Sequence, residues 1–164
     1  QRIVPAAEAA GVRLAMHPND PPVPEYRGVA QPLWNLESMK RLIEVVDSPA
    51  NSLFFDTGVT TEYGEDAVEA IRYFGERDRI GIVHFRNVRV EQPYYKYTET
   101  FLDEGECDIV GCMRAFAEVR YEGGIDPDHT PGIVGDTEEM QMGWAYAVGQ
   151  LRALRLAAYG GKSS

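Results

Sequence analysis

The chain has 164 residues, of which 44% are apolar and 26% are charged, a composition typical of one folded globular domain. The formal charge of −10 has the wrong sign for binding nucleic acid or an anionic membrane, so neither is an expected partner. No apolar run reaches the roughly 18 residues of a spanning helix, and the first residues lack a signal-peptide pattern. We therefore expect a cytoplasmic protein.

The only two cysteines, Cys107 and Cys112, lie five residues apart at the start of a predicted helix. They do not form a CxxC pair, which would indicate a redox or zinc motif. We interpret them as reduced thiols and not as a disulfide scaffold.

Helices and short apolar strands alternate along the chain. Helical spacing or helix-forming composition predicts helices over 2–10, 36–46, 65–74, 108–119 and 140–159, and apolar runs predict strands over 12–16, 52–55, 80–85 and 124–126. Long polar loops are predicted at 18–32, a candidate functional loop, and at 89–106. The connections are long enough for right-handed parallel crossovers, so the pattern predicts an α/β fold with a parallel sheet.

Histidines and aspartates recur where the predicted strands end. They are His17 after the first strand, Asp56 after the second, His84 in the third, and Asp128 with His129 after the fourth. The carboxyl ends of parallel strands share one edge of the sheet, where binding sites are built. One strand-end histidine is more often structural, but His17, Asp56, His84 and Asp128 together favour a common metal site.

Two imidazoles and two carboxylates suit Mn²⁺, Fe²⁺, Co²⁺ or Zn²⁺ better than Ca²⁺ or Mg²⁺. His129 directly follows a predicted ligand, and neighbouring strand residues point in opposite directions, so we expect it to lie outside the metal shell. Its functional role would be proton transfer; the alternative is a surface histidine in a loop.

Four further residues are candidates for contact with a substrate. Arg86 and Asn87 directly follow His84 and could hold a carboxylate or hydroxyls, although an ion pair with a strand-end acid explains Arg86 equally well. Asp20 in its proline-dense loop would shape a pocket wall or a turn. Gly58 would let a substrate approach the backbone.

Four segments, 15–22 (AMHPNDPP), 47–58 (DSPANSLFFDTG), 82–88 (IVHFRNV) and 126–130 (DPDHT), resemble in order the motifs of the mannonate dehydratase family. The resemblance runs over 10–156. It implies a TIM barrel of the xylose-isomerase-like type and dehydration of D-mannonate to 2-keto-3-deoxy-D-gluconate, with Mn²⁺ or Fe²⁺ as cofactor. It places metal ligands at His17, His84 and Asp128 and a catalytic histidine at His129.

The chain departs from the family pattern at three places. Asp56 stands where the family commonly has a cysteine in a CTG motif. Because a carboxylate is a harder ligand than a thiolate, this replacement would change the metal preference. No histidine follows the acidic Glu99, and the family's tyrosine in a GY motif is matched only by Tyr146.

A TIM barrel takes about 250 residues, and this chain predicts only four of the eight strands. We therefore expect residues 1–159 to form the C-terminal half of a barrel, and residues 160–164 to be a frayed tail. Such a half-barrel comes from a partial gene product or pairs with another copy. Its apolar strands would be covered by a homo-oligomer contact around Phe54, Ile82 and Phe85.

These features predict a hydro-lyase acting on a sugar acid, with His129, Arg86 and Tyr146 as catalytic residues. Two alternatives stay open. A xylose-isomerase-like sugar isomerase or epimerase would use the metal on a neutral sugar, although such enzymes more often have an acidic ligand at the position of His129. A catalytically incomplete half-barrel is the other.

Overall fold

A computed structural model describes residues 2–160. The helices in this range are α1 (Ile3–Ala9), α2 (Leu36–Val45), α3 (Thr57–Glu62), α4 (Ala67–Gly75), α5 (Ile109–Glu118) and α6 (Gln141–Tyr159). The strands are β1 (Leu14–Met16), β2 (Glu25–Tyr26), β3 (Val29–Ala30), β4 (Asn51–Asp56), β5 (Ile80–His84), β6 (Asn87–Gln92), β7 (Lys96–Thr100) and β8 (Ile125–Asp126). None of these helices is long and apolar enough to cross a membrane. The predicted tail lies outside the described residues except for Gly160, which ends α6 with a φ of 76°.

Four of the strands form one parallel sheet in the order β1, β4, β5, β8. Leu14 pairs with Asn51 across β1 and β4, and Asp56 pairs with His84 across β4 and β5. Helices lie between consecutive sheet strands in the sequence, which is the arrangement that parallel crossovers require. The predicted α/β fold with a parallel sheet is therefore confirmed.

One face of the sheet is covered by helices and the other is open. On the covered face, Leu53, Phe55 and Val83 are fully buried in a core that also holds Phe74 and Phe116 from α4 and α5. On the open face, residues of β4 and β5 such as Phe54 and Ile82 are only half-buried. Leu53 and Phe55 face the helices and Phe54 between them faces the open side, as the two-residue repeat of a pleated strand requires.

Phe85 does not belong to the open face, so its predicted place in an oligomer contact is wrong. Its side chain is fully buried within the single chain, and its ring centroid lies 6.3 Å from that of Phe116. The physical reason is the same alternation: Phe85 follows Val83 by two residues and therefore points towards the helices, while Ile82 and His84 point to the open face.

Both long loops of the prediction contain antiparallel hairpins. Residues 89–106 hold most of β6 and β7, which pair from Asn87 with Thr100 to Gln92 with Lys96. The alternation of apolar and polar residues from Asn87 to Gln92 is a strand signal that the polar composition of the segment conceals. The turn places Tyr94 at a φ of 69°, and a shorter hairpin, β2 with β3, occupies part of 18–32.

The short helix α3 directly follows β4 and was not predicted, because its sequence TGVTTE is rich in β-branched residues with low helix propensity. It is fixed instead by capping. The Asp56 carboxylate accepts a hydrogen bond from the Val59 amide at 2.7 Å. Other helices begin in the same way: Asp66 caps α4 and Asp108 caps α5, so those helices start one or two residues later than predicted.

Candidate metal centre

Three predicted ligands meet at the carboxyl edge of the sheet. His17 Nε2 lies 3.1 Å from His84 Nδ1, and Asp56 Oδ2 lies 3.4 Å from the first of these nitrogens and 3.5 Å from the second. All three donor atoms fall within 4.8 Å of one another. The convergence follows from the parallel sheet, because β1, β4 and β5 are neighbours and each residue ends its strand or follows it directly.

The local chain fixes the direction of each of these side chains. His17 Nδ1 lies 2.6 Å from the Pro18 carbonyl, which turns Nε2 towards the other two residues. Asp56 uses Oδ1 to cap α3, so Oδ2 is left facing the histidines. The Phe54 ring packs against both imidazoles, with centroid distances of 5.3 Å to His17 and 4.0 Å to His84.

Asp128, the fourth predicted ligand, lies at the border of this group. Its Oδ2 is 3.3 Å from His84 Nδ1, and its backbone has a φ of 60° in the left-handed region. The Asp128 amide donates to the Asp126 carboxylate at 3.1 Å, which holds the turn after β8 in place. The structure thus brings together all four residues that the sequence predicts as ligands.

His129 also joins the cluster. Its Nε2 lies 3.4 Å from Asp128 Oδ2, and its Nδ1 lies 3.1 Å from Glu99 Oε1. The expected opposite orientation of the two neighbours rested on a strand geometry, but β8 ends at Asp126 and both residues lie in the turn. His129 is about half exposed, so it stands at the solvent side of the group.

Among residues 2–160, Arg86 is the one arginine or lysine at the centre of an acidic cluster. Its Nε lies 3.0 Å from Asp56 Oδ2, and its side chain is 1% exposed. Its guanidinium nitrogens approach carboxylates from five elements or loops, namely Asp20, Asp56, Glu62, Glu99 and Asp128. The sequence predicted either a substrate contact or an ion pair with a strand-end acid for Arg86, and the structure shows the ion pair, with Asp56.

The remaining predicted substrate contacts are placed differently. Asp20 belongs to the cluster: its Oδ2 accepts from Arg86 at 2.9 Å and its Oδ1 accepts from the Tyr97 hydroxyl. Gly58 faces Arg86, since a Cβ there would lie 2.7 Å from Cγ of that arginine. The absent side chain therefore makes room for the guanidinium.

Two predicted residues point elsewhere. Asn87 is buried, and its side-chain amide bonds the backbone of the segment after β7, donating to the Leu102 carbonyl at 2.7 Å and accepting from the Cys107 amide at 2.9 Å. Tyr146 is exposed, and its hydroxyl donates to Asp103 Oδ2 at 3.1 Å. Within residues 2–160, neither side chain forms a hydrogen bond with a histidine.

Glu62 and Glu99 are members of the cluster that sequence analysis missed. Glu62 lies on the unpredicted helix α3, and Glu99 lies on the unpredicted strand β7. Glu62 Oε1 is 2.9 Å from Arg86 Nη2, but neither oxygen of this carboxyl has a partner of hydrogen-bond geometry among the described residues. Placing β7 as a strand paired with Asn87 to Gln92 would have brought Glu99 close to Arg86.

The cluster shifts the titration of its members in opposite directions. Burial alone would raise the pKa of Asp56, but hydrogen bonds from His17 and His84 and the charge of Arg86 hold it well below its usual range. Burial lowers the pKa of His17, and the hydrogen bond and charge of Asp56 outweigh this and raise it. Burial, together with the negative charges of Asp20 and Asp56, raises the pKa of Glu62 to about 8 against the opposing charge of Arg86.

The residues present fit a divalent cation. With five carboxylates around one guanidinium, the cluster has a formal excess of four negative charges when all acids are ionised and the histidines are neutral. Because Asp56 and Glu62 are fully buried and the other three acids are only partly exposed, this excess favours bound protons or a cation. Ligand atoms bound at about 2.1 Å to one ion lie about 3.0–3.4 Å apart, which is close to the separations of 3.1, 3.4 and 3.5 Å among His17, Asp56 and His84.

The amino-acid sequence is similar to those of known mannonate dehydratases. A family model described as D-mannonate dehydratase (UxuA) matches residues 1–159. The mannonate dehydratase of Thermotoga petrophila is 36% identical over 139 residues, which cover 83% of this chain and 38% of that protein. The chain thus spans less than half the length of this relative.

The fold is also similar to solved structures. The mannonate dehydratase from Streptococcus suis serotype 2 superimposes with a TM-score of 0.86 at 27% identity, covering 98% of this chain and 48% of that one. A xylose isomerase domain protein from Planctomyces limnophilus gives a TM-score of 0.70 at 17% identity, covering 97% and 52%. The fold is therefore part of a xylose-isomerase-like TIM barrel, as the sequence predicts.

The buried carboxyl of Glu62 generates a prediction for the metal-free chain. The pKa of Glu62 is about 8 in the folded state and 4.5 in the unfolded state. Its contribution to the free energy of unfolding is therefore fully present below pH 4.5 and is lost as the pH rises towards about 8. Glu62→Gln removes the ionisation but keeps the shape. We expect the variant to gain up to about 5 kcal/mol of stability relative to the wild type between pH 4 and pH 9.

Urea unfolding of both proteins across this pH range, in the presence of a chelator, measures the difference. Stability curves that stay parallel from acidic to alkaline pH would contradict the assignment of a neutral Glu62.

Proposed function

This chain belongs to the D-mannonate dehydratase family, and from that premise we propose that it carries the metal-binding and proton-transferring part of a sugar-acid dehydratase. The proposed reaction converts D-mannonate to 2-keto-3-deoxy-D-gluconate and water. The observation that carries the proposal is the compact group of His17, Asp56 and His84 beside Asp128 and His129.

We propose Mn²⁺ or Fe²⁺ as the cofactor, held by His17, Asp56, His84 and Asp128. Two imidazole nitrogens with carboxylate oxygens are donors that suit such borderline cations. When bound, the cation would supply Lewis-acid polarisation of the substrate's carboxylate and neighbouring hydroxyl. Asp56 in place of a cysteine makes the donor set harder, which favours Mn²⁺ over softer metals.

His129 is the proposed proton carrier, taking the proton from C2 or giving one to the departing C3 hydroxyl. When its Nδ1 donates to Glu99, Nε2 is the nitrogen left to exchange a proton, and this nitrogen is on the side of Asp128. Glu99 would thus act as a positioning residue. The half-exposed place of His129 lets it reach a substrate that enters from solvent.

The role proposed for Arg86 is positioning and not direct binding of the substrate. Its side chain is almost completely buried, and its nitrogens already face carboxylates of the chain. It orients Asp56 towards the histidines and lowers the charge of the cluster. Asp20, which is 27% exposed, is the better candidate for contact with substrate hydroxyls.

The alternatives have less support. A sugar isomerase or epimerase rests on the barrel fold, which hosts several chemistries and does not choose among them. A catalytically incomplete half-barrel would bind the cation without turning over a sugar acid.

Activity and metal binding together test the proposal. Dialysed chain supplied with Mn²⁺ and D-mannonate should form a 2-keto-3-deoxy acid that reacts with thiobarbiturate. Turnover of other aldonates alone would remove the substrate assignment. Metal binding without any turnover would support the incomplete half-barrel.

Two histidine variants separate the proposed roles. His84→Ala should weaken Mn²⁺ binding about tenfold or more, because the site loses a strong donor and the chain's other histidines already have roles in the cluster. His129→Ala, the matched control, should keep the affinity and lose turnover. Equal metal affinities in both variants, measured by calorimetric titration of folded protein, would show that the site assignment is wrong.

We also propose that the isolated chain forms a homo-oligomer through the open face of the sheet. Phe54 and Ile82 are half-buried there, and the edge strands β1 and β8 have no further sheet partner among residues 2–160.

Ile82→Lys should shift sedimentation towards a monomer. Val110→Lys on α5, at a position already 42% exposed, is the control and should leave it unchanged. A monomeric wild-type chain at micromolar concentration would contradict the proposal.

A further inference from the structure

The two cysteines of the chain face each other at the start of α5, and neither is among the predicted metal ligands or the carboxylates around Arg86. Cys107 directly precedes the capping residue Asp108, and Cys112 is the fourth residue of the helix. Residues at these two positions pack together in a hydrophobic staple, which fixes the direction of the chain entering the helix. Both thiols are buried, and their sulfur atoms lie 3.6 Å apart.

The two thiols have different chemical environments. The hydrogen bond from Cys112 lowers the pKa of Cys107, which also lies at the amino end of a helix where a negative charge is favoured. The same hydrogen bond and burial raise the pKa of Cys112. Cys107 is 9% exposed and Cys112 is fully buried, so a small oxidant reaches Cys107 first.

Hydrogen bonds from Asn87 and the helix cap at Asp108 hold the backbone on both sides of this cysteine pair. The Asn87 amide accepts from the Cys107 backbone N–H at 2.9 Å and donates to the Cys107 carbonyl at 3.3 Å. Cys112 is fixed in a capped helix whose Gly111 amide donates to Asp108 at 2.9 Å. A disulfide has a length of about 2.05 Å, so the two sulfurs, now 3.6 Å apart, must approach by about 1.5 Å for the bond to form.

We propose that Cys107 and Cys112 are a redox modification site, in which a peroxide converts the two thiols to an intrachain disulfide. The Cys107 thiolate attacks one peroxide oxygen, the O–O bond breaks, and hydroxide leaves while Cys107 becomes a sulfenic acid. The Cys112 sulfur then attacks Cys107 sulfur and loses its proton, and water leaves. The two thiols are oxidised by two electrons and the peroxide is reduced. A dithiol reverses the step by exchange.

Intact-mass spectrometry and thiol titration of the folded chain, treated with a small excess of hydrogen peroxide, test this proposal independently of the dehydratase activity. We expect loss of both thiols and a mass decrease of about 2 Da, the two hydrogen atoms lost when a dithiol closes. Dithiothreitol should reverse both changes. Two remaining thiols, a mass increase from added oxygen, or disulfide-linked dimers would each overturn the proposal.

Matched serine variants test the order of the two steps. Cys112→Ser should stop at the sulfenic acid of Cys107, which dimedone captures, and Cys107→Ser should give no adduct because Cys112 is fully buried. Equal capture in both variants would contradict the assignment of Cys107 as the attacking thiolate. The wild-type measurement decides the main proposal even if a variant fails to fold.

Discussion

The buried ion pair between Arg86 and Asp56 is the interaction on which the candidate site depends. The two side chains are 1% and 0% exposed and lie 3.0 Å apart. Removing one partner of such a pair leaves an uncompensated buried charge, which is strongly destabilising. Arg86 also faces four other carboxylates, so it cannot neutralise them all. The remaining negative charge is the physical reason why this edge of the sheet suits a divalent cation.

The parallel sheet makes this concentration of charge possible. Asp56 and His84 are paired neighbours at the ends of the two central strands, and His17 follows the adjacent strand. Asp56 also caps α3, which places Glu62 within 2.9 Å of Arg86. One aspartate therefore links the sheet, a helix and the candidate ligands, and the fold and the site are stabilised by the same contacts.

The sequence was sufficient to predict that the candidate ligand side chains meet, but not what surrounds them. His17, Asp56 and His84 could be predicted to meet because parallel strands end at one edge, a consequence of topology alone. The presence of Glu62 and Glu99 in the cluster was not predicted. Glu62 lies on a helix of β-branched residues, and Glu99 lies in a hairpin that the polar composition of its segment conceals. The number of acids around Arg86 depends on tertiary packing, which local patterns do not encode.

The central claim is that one divalent cation bound at the histidines offsets part of the negative charge excess around Arg86. Equilibrium dialysis of the metal-free chain against Mn²⁺ measures this most directly, with Asp56→Asn, shown by circular dichroism to be folded, as the comparison. The account predicts one tightly held ion per chain, lost in the variant because Oδ2 of Asp56 faces both histidines. An absence of bound Mn²⁺ in the folded wild type, or the same binding in Asp56→Asn, would contradict it.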